Sequence, residues 1–179
     1  MIELVEMPGE RFPRYRENLI REYAQDKVRA GVWSPEEAQR RAEAGTDELL
    51  ARGTDTEGHY LYLLRDRSAG EEVGVVWLAV QDTGAGRSVW IYDLQIHVTF
   101  RRRGHGTGAL RAVEKRAAEL GAQKVGLHVF GHNPGARALY EGSGFTTTSF
   151  IMSKRLGHLL DGGQVEPRME PQVKPQVEL

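Results

Sequence analysis

The chain has 179 residues and a formal net charge of -1, which suits one domain with a substantial core and predicts neither nucleic acid nor an anionic membrane as partner. Cysteine is absent, which excludes disulfides, thiolate metal sites and a cysteine acyl-enzyme. No apolar run approaches the roughly 18 residues of a membrane span and no signal peptide is evident, so a soluble, cytoplasmic protein is expected.

In chain order, Met1 to Met7 reads as a short edge strand ended by Pro8-Gly9. Phe12, Tyr15, Leu19, Ile20, Tyr23 and Val28 then recur at helical spacing between Glu10 and Ala30, and Gly31 closes that helix. Ser34-Pro35-Glu36-Glu37 signals a second helix, with Ser34 as cap, Pro35 in the first turn and Glu37 completing a capping box, to run to about Leu50 or Arg52. Trp33, just before the cap, reads as a packing staple. Three strand-like runs follow, HYLYLLRD, EEVGVVWLAVQD and SVWIYDLQIHV, joined by the short turns Ser68-Ala69-Gly70 and Thr83-Gly84-Ala85-Gly86. Such short connections predict an antiparallel meander. A helix is expected from about Thr107 to Leu120, a strand from Lys124 to Phe130, a helix from Pro134 to Glu141 and a last strand from Phe145 to Lys154. The class is mixed α/β with one crossover, a mostly antiparallel sheet flanked by helices. The domain is expected over 1–156. The Pro-rich remainder, 157–179, with Pro167, Pro171 and Pro175 evenly spaced, is expected to be disordered or docked on a partner protomer.

The stretch with most chemical content is FRRRGHGTGAL, Phe100 to Leu110. Three arginines precede Gly104, Gly106 and Gly108 between a strand and a helix start. Such a turn offers backbone N–H groups and the positive end of the helix dipole to an anion, most naturally a pyrophosphate. It is not a Walker loop, because no Gly-Lys-Ser/Thr closes it, and Ala109 replaces the third glycine of a dinucleotide fingerprint. The strand before it alternates: Trp90, Tyr92, Leu94, Ile96 and Val98 on one face, Val89, Ile91, Asp93, Gln95 and His97 on the other. Asp93, Gln95 and His97 therefore line up before the turn, where ligands bind in α/β sheets. His128 and His132 have a metal spacing only on a helix, and here they flank a strand end, so no metal is expected. The arginine run in a near-neutral protein faces cofactor or solvent rather than nucleic acid.

With the turn and the segment NPGARALYEGSGF both in view, the chain resembles the GCN5-related N-acetyltransferase (GNAT) superfamily. That family's turn, Arg/Gln-x-x-Gly-x-Gly/Ala, is matched by Arg101-Arg102-Arg103-Gly104-His105-Gly106. Its later signature is matched by Asn133, Ala136, Leu139-Tyr140-Glu141 and Gly144-Phe145. The resemblance implies a sheet splayed at the cofactor strands and acetyl-CoA as donor. It implies that the backbone of Arg103 to Gly108, with Arg101, Gly104, His105, Gly106 and Thr107, holds the pyrophosphate. The backbone of Ile96, His97 and Val98 would pair with the pantetheine, Asn133 and Ala136 would meet the cofactor arm, and Tyr140 would protonate the departing thiolate. His105 stands where the family more often carries an aliphatic residue and is expected to pack under the turn.

A primary amine, with a pKa near about 10, must lose a proton before it attacks a thioester. Asp93 is the first candidate base and His97 the second; Gln95 can only orient a water. A strand N–H near Val98 is expected to hold the oxyanion. Without cysteine, direct transfer in a ternary complex is favoured. The expected function is acetyl-CoA-dependent transfer to a small-molecule or peptide amine, the alternative a non-catalytic module that senses an acyl-CoA. Asp47, Glu48, Asp55 and Glu57 make the expected acceptor region acidic. A homodimer through the last strand or the tail is a further expectation.

Overall fold

A computed structural model describes residues 1–84 and 86–152; the tail expected over 157–179 lies outside the described residues. Pro8 ends β1 (Ile2–Glu6), and a 3-10 turn at Gly9–Arg11 leads into α1 (Phe12–Arg29). Pro13 occupies the first turn of α1, where its missing N–H costs no hydrogen bond. Positive-φ Gly31 turns the chain toward α2 (Pro35–Leu49). Ser34 is the N-cap of α2, but its side chain accepts no amide bond, so the expected capping box is not formed; its hydroxyl instead serves the Glu36 carboxylate. Then come β2 (His59–Asp66), β3 (Glu71–Thr83), β4 (Gly86–Ile96), α3 (His105–Glu119), β5 (Lys124–Leu127) and α4 (Pro134–Gly142).

The sheet order is β1-β2-β3-β4-β5, antiparallel through β4, with β5 parallel to β4 after the α3 crossover. Alternation in β2 serves both faces. Tyr62 and Leu64 pack with Val76, Leu78, Val89 and Ile91 against Leu110 and Val113 of α3. Leu61 and Leu63 pack with Val75 and Trp77 against Tyr15 of α1. Ile20, Ala24, Ala38 and Ala42 join α1 to α2. Trp33 packs on this last cluster, edge-on to Tyr23 at 5.4 Å, which is the staple role expected of it. Each fully buried Leu or Val contributes about 1.5–3 kcal/mol relative to an exposed one.

The decisive irregularity is in β4. Asp93 pairs with Trp77, but Leu78 pairs with Ile91, so Tyr92 is an extra residue, a β-bulge. The simple alternation read from the sequence therefore breaks at Tyr92. Val89 and Ile91 before it face α3, as do Leu94 and Ile96 after it. Tyr92 stacks on Trp77 at 4.5 Å on the α1 side. Val89 and Ile91 are thus not on the face of Asp93, which is a correction. The bulge also explains why β5 stops at Leu127 rather than Phe130. The β4–β5 ladder runs from Ser88 opposite Lys124 to Ile91 opposite Leu127, and the bulge turns β4 away from the next pair. The two strands are splayed beyond it. The compact unit containing the sheet ends at Phe145. The strand expected from Phe145 to Lys154 is not formed over 146–152, which pair with no strand among the described residues.

Candidate active site

After β4, a 3-10 turn at Val98–Phe100 leads through the arginines to α3. Arg102 has φ 62 and Gly104 φ 81, two left-handed residues that fold the turn back over the helix start. Gly104 is the N-cap and offers no side chain, so the amides of the first α3 turn have no cap acceptor. A helix start open in this way is where an anion is favoured. The other two glycines have a different cause. A Cβ on Gly106 would lie 2.9 Å from Leu139 of α4, and one on Gly108 2.9 Å from Ile2 of β1. They let α3 pack closely on both sides.

His105 is clamped beneath the turn. Its Nδ1 lies 2.8 Å from the Phe100 carbonyl and its Nε2 3.2 Å from Asp66 Oδ2, with the Phe100 ring edge-on at 5.9 Å. Asp66 is held down at about 2, first by the Ser68 backbone N–H and then by its other partners, so it stays ionised. Arg101 Nε donates to the Ile96 carbonyl at 2.9 Å, and the Arg103 guanidinium lies over the Phe100 ring. A cleft of about 510 Å³ opens between Met1 and Arg103, Thr107 and Arg111.

On the other side of β4, Asp93 is the centre. Tyr15 of α1, itself buried, donates its hydroxyl to Asp93 Oδ2 at 3.1 Å. Burial pushes the Asp93 carboxyl up to about 7. The Glu22 carboxylate adds to the rise, while Tyr15 and the Leu94 N–H oppose it. Tyr140 of α4 is pushed up to about 12, first by burial and then by the charge of Asp93, which places its phenol within the field of that carboxylate. Its ring packs on Phe145, and among the described residues its hydroxyl has no hydrogen-bond partner.

Gln95 is bonded through Nε2 to Glu22 of α1. His97 is more peripheral: its backbone N–H donates to the Val73 carbonyl, and its Nε2 lies 3.4 Å from Glu72, which also binds Arg11. Val98 is exposed at the start of the turn. Asn133 caps α4, accepting from the Ala136 amide at 3.1 Å, so both residues are committed to the helix start. Among the acidic residues expected around the acceptor, Asp47 is paired with Arg16 at 2.6 Å. His132 pairs with Asp26 and His128 packs on Phe130, so the two histidines do not converge.

The structure thus brings Asp93, Tyr140 and the splayed end of β4 together, with His97 at the margin. It adds Tyr15 and Glu22, which sequence reading passed over as helix residues. Their seven-residue spacing on α1 was the available signal, because it puts both on one helix face.

The sequence pattern of the acetyltransferase (GNAT) family matches residues 16–145. The uncharacterized N-acetyltransferase YycN of Bacillus subtilis (strain 168) is 37% identical over 155 residues, covering 87% of this chain and 99% of the relative. YdgE of the same organism, also named an uncharacterized N-acetyltransferase, is 31% identical over 153 residues, 86% of this chain and 97% of the relative. The crystal structure of YycN superposes with a TM-score of 0.83 at 36% identity, covering 87% of this chain and 99% of that one. AAC(6')-Iy, solved with a CoA-linked acetylneamine bisubstrate analogue, shares the fold at a TM-score of 0.57 and 14% identity, covering 87% of this chain and 97% of that one. From its splayed, bulged sheet to its glycine turn and its sequence, this chain belongs to the GNAT acetyltransferase family.

Proposed function

We propose that the protein transfers an acetyl group from acetyl-CoA to a primary amine by direct attack in a ternary complex. The observation that carries this reading is Asp93: a carboxyl raised to about 7, bonded by Tyr15, beside the splay of β4 and β5. A base poised near the working pH is half-ionised and still basic enough to take a proton.

The first-turn amides of α3, from His105 to Thr107, fit a pyrophosphate, and Arg103 is placed to add a positive charge. The edge of β4 after Ile91, left without a β5 partner, fits the extended pantetheine. Ile96 and Val98 would serve it, and Arg101 would have to yield the Ile96 carbonyl. Acetyl-CoA supplies the thioester carbonyl and a thiolate leaving group. Asp93 takes the proton from the amine, directly or through a water. An N–H near Val98 holds the oxyanion, and the Tyr140 hydroxyl delivers a proton to the sulfur. The complex of AAC(6')-Iy with a CoA-linked analogue supports a cofactor of this type in this fold.

Thermal unfolding with acetyl-CoA, CoA and 3′-dephospho-CoA tests the first half. A ligand at 100 times its Kd adds about 2.7 kcal/mol of stability. No shift at millimolar ligand would refute the assignment of the turn. Stabilisation with no acetyl transfer to any amine in a broad panel would favour a sensing module over an enzyme.

A further inference from the structure

His105 lies between two acceptors. Its Nδ1 is 2.8 Å from the Phe100 carbonyl oxygen and its Nε2 is 3.2 Å from Asp66 Oδ2. Neither partner can donate: one is a carbonyl, the other a carboxylate kept ionised, first by the Ser68 backbone N–H. A neutral imidazole carries one N–H and an imidazolium carries two. Both contacts are therefore hydrogen bonds only when the ring is charged. In either neutral tautomer a nitrogen lone pair faces an oxygen lone pair. The side chain is only 13% exposed, so water has little room to intervene.

The two contacts hold the turn from two sides. The bond to Phe100 closes a loop over Arg101, Arg102, Arg103 and Gly104, the residues that lead into α3. Within that loop Arg102 is left-handed, a conformation that a non-glycine residue keeps only when its surroundings impose it. The bond to Asp66 ties the start of α3 to the end of β2, a strand fixed by β1 and β3 on its two edges. The remaining charges near the ring are positive. The Met1 amine lies 3.5 Å from the other Asp66 oxygen, Arg103 and Arg111 line the same cleft, and Arg101 is bonded to the Ile96 carbonyl.

We propose that His105 is a positioning residue for the cofactor's diphosphate: as an imidazolium it clamps the turn between Phe100 and Asp66, and the cofactor binds that form more tightly than the neutral one. This rests on the reading of the turn as the diphosphate site. Two effects act in the same direction. The clamp holds the first-turn amides of α3 in place, and a positive charge beneath them favours an anion. Histidine changes charge within the physiological pH range, so affinity falls as pH rises. By linkage, the diphosphate in turn favours the charged ring, and binding takes up protons.

The test uses 3′-dephospho-CoA, because its diphosphate stays fully charged where the 3′-phosphate of CoA titrates, near about 6. Its Kd is measured by calorimetry from about pH 5.5 to about pH 8.5 for the wild type and for His105→Gln, a neutral residue, with thermal unfolding confirming that the variant folds. Asp93 titrates in both proteins, so its effect cancels in the comparison. The wild type should bind about 10-fold more tightly than the variant at the acid end, the low end for a hydrogen bond to a charged group. That advantage should shrink as pH rises, and the wild type should take up more protons on binding. A packing role alone would weaken the variant equally at every pH, so parallel Kd curves or equal proton uptake overturn the proposal. Ring-nitrogen NMR of the wild-type complex needs no variant: both His105 nitrogens should carry protons near pH 7, and a bare nitrogen there overturns it too. If the wild type binds no 3′-dephospho-CoA at millimolar ligand, the reading of the turn fails and the clamp with it. Binding without the pH difference refutes the clamp alone.

Discussion

Replacing Asp93 by Asn tests the catalytic assignment and its electrostatics together. In the folded chain the carboxyl is raised from 3.8 to about 7, first by burial. A raised acid binds its proton more tightly in the native state. Its contribution is therefore fully present below the unfolded value and is lost as pH rises through the folded one. Three units correspond to about 4 kcal/mol, an upper figure because the side chain keeps some solvent contact. Asn cannot ionise, so the stability difference between variant and wild type should grow in the variant's favour by up to that amount between about pH 4 and pH 8. Urea unfolding of both proteins at unit pH intervals reads it, and other titrating groups cancel in the difference. In the same variant kcat should fall about 10²- to 10⁴-fold, the usual worth of a positioned base, while acetyl-CoA still stabilises the fold. The wild-type rate should rise with pH through an apparent value near the 7 of Asp93. Parallel stability curves would show that the fold does not raise the Asp93 carboxyl, and an unchanged rate would remove it as the base.

Tyr15→Phe deletes the hydroxyl that favours the Asp93 carboxylate, so the acidic limb of the pH–rate profile should move to higher pH; a limb that stays put or moves down contradicts the hydrogen bond. Tyr140→Phe keeps the ring on Phe145 but removes the proton donor. It should lower kcat about 10²-fold, the low end for a general acid, with acetyl-CoA affinity retained by calorimetry; equal turnover would make Tyr140 a packing residue. Gly74→Ala would place a Cβ 2.0 Å from the Gln95 carbonyl oxygen, which is backbone and cannot step aside. It should cost about 3 kcal/mol in denaturant unfolding, and near-wild-type stability would refute the tight β3–β4 approach.

The sequence made the elements and the turn legible because those signals are local. Pro13 and Pro35 mark helix starts, glycines mark the ends, and FRRRGHGTGAL joins a strand to a helix within one short window. The GNAT fold followed from that turn together with the Asn133-to-Phe145 segment, and the sheet and its relatives agree. Tyr15 and Glu22 were not legible in the same way, because they act on a strand some seventy residues away and only the tertiary packing of α1 brings them there. The bulge was hidden for the opposite reason: VWIYDLQIHV alternates well enough on paper that nothing in it marks Tyr92 as extra. Gly106 and Gly108 look like ligand-facing glycines in the motif, yet their small size also makes room for the Leu139 and Ile2 side chains.

The bulge at Tyr92 works like a frameshift within a single strand. Upstream, odd-numbered positions belong to the hydrophobic core; downstream, even-numbered ones do, and the odd register is released for Asp93, Gln95 and His97. Loss of Tyr92 alone would not shorten the strand so much as restore one continuous phase. Ile91 and Asp93 would then meet Leu78 and Trp77 in direct succession, so every later side chain would keep its α3 or α1 facing with no slip in the pairing with β3. What the extra residue adds is a local bend in β4 and a ring stacked on Trp77, so its deletion would straighten the strand beside Asp93 while leaving the order of pairs intact.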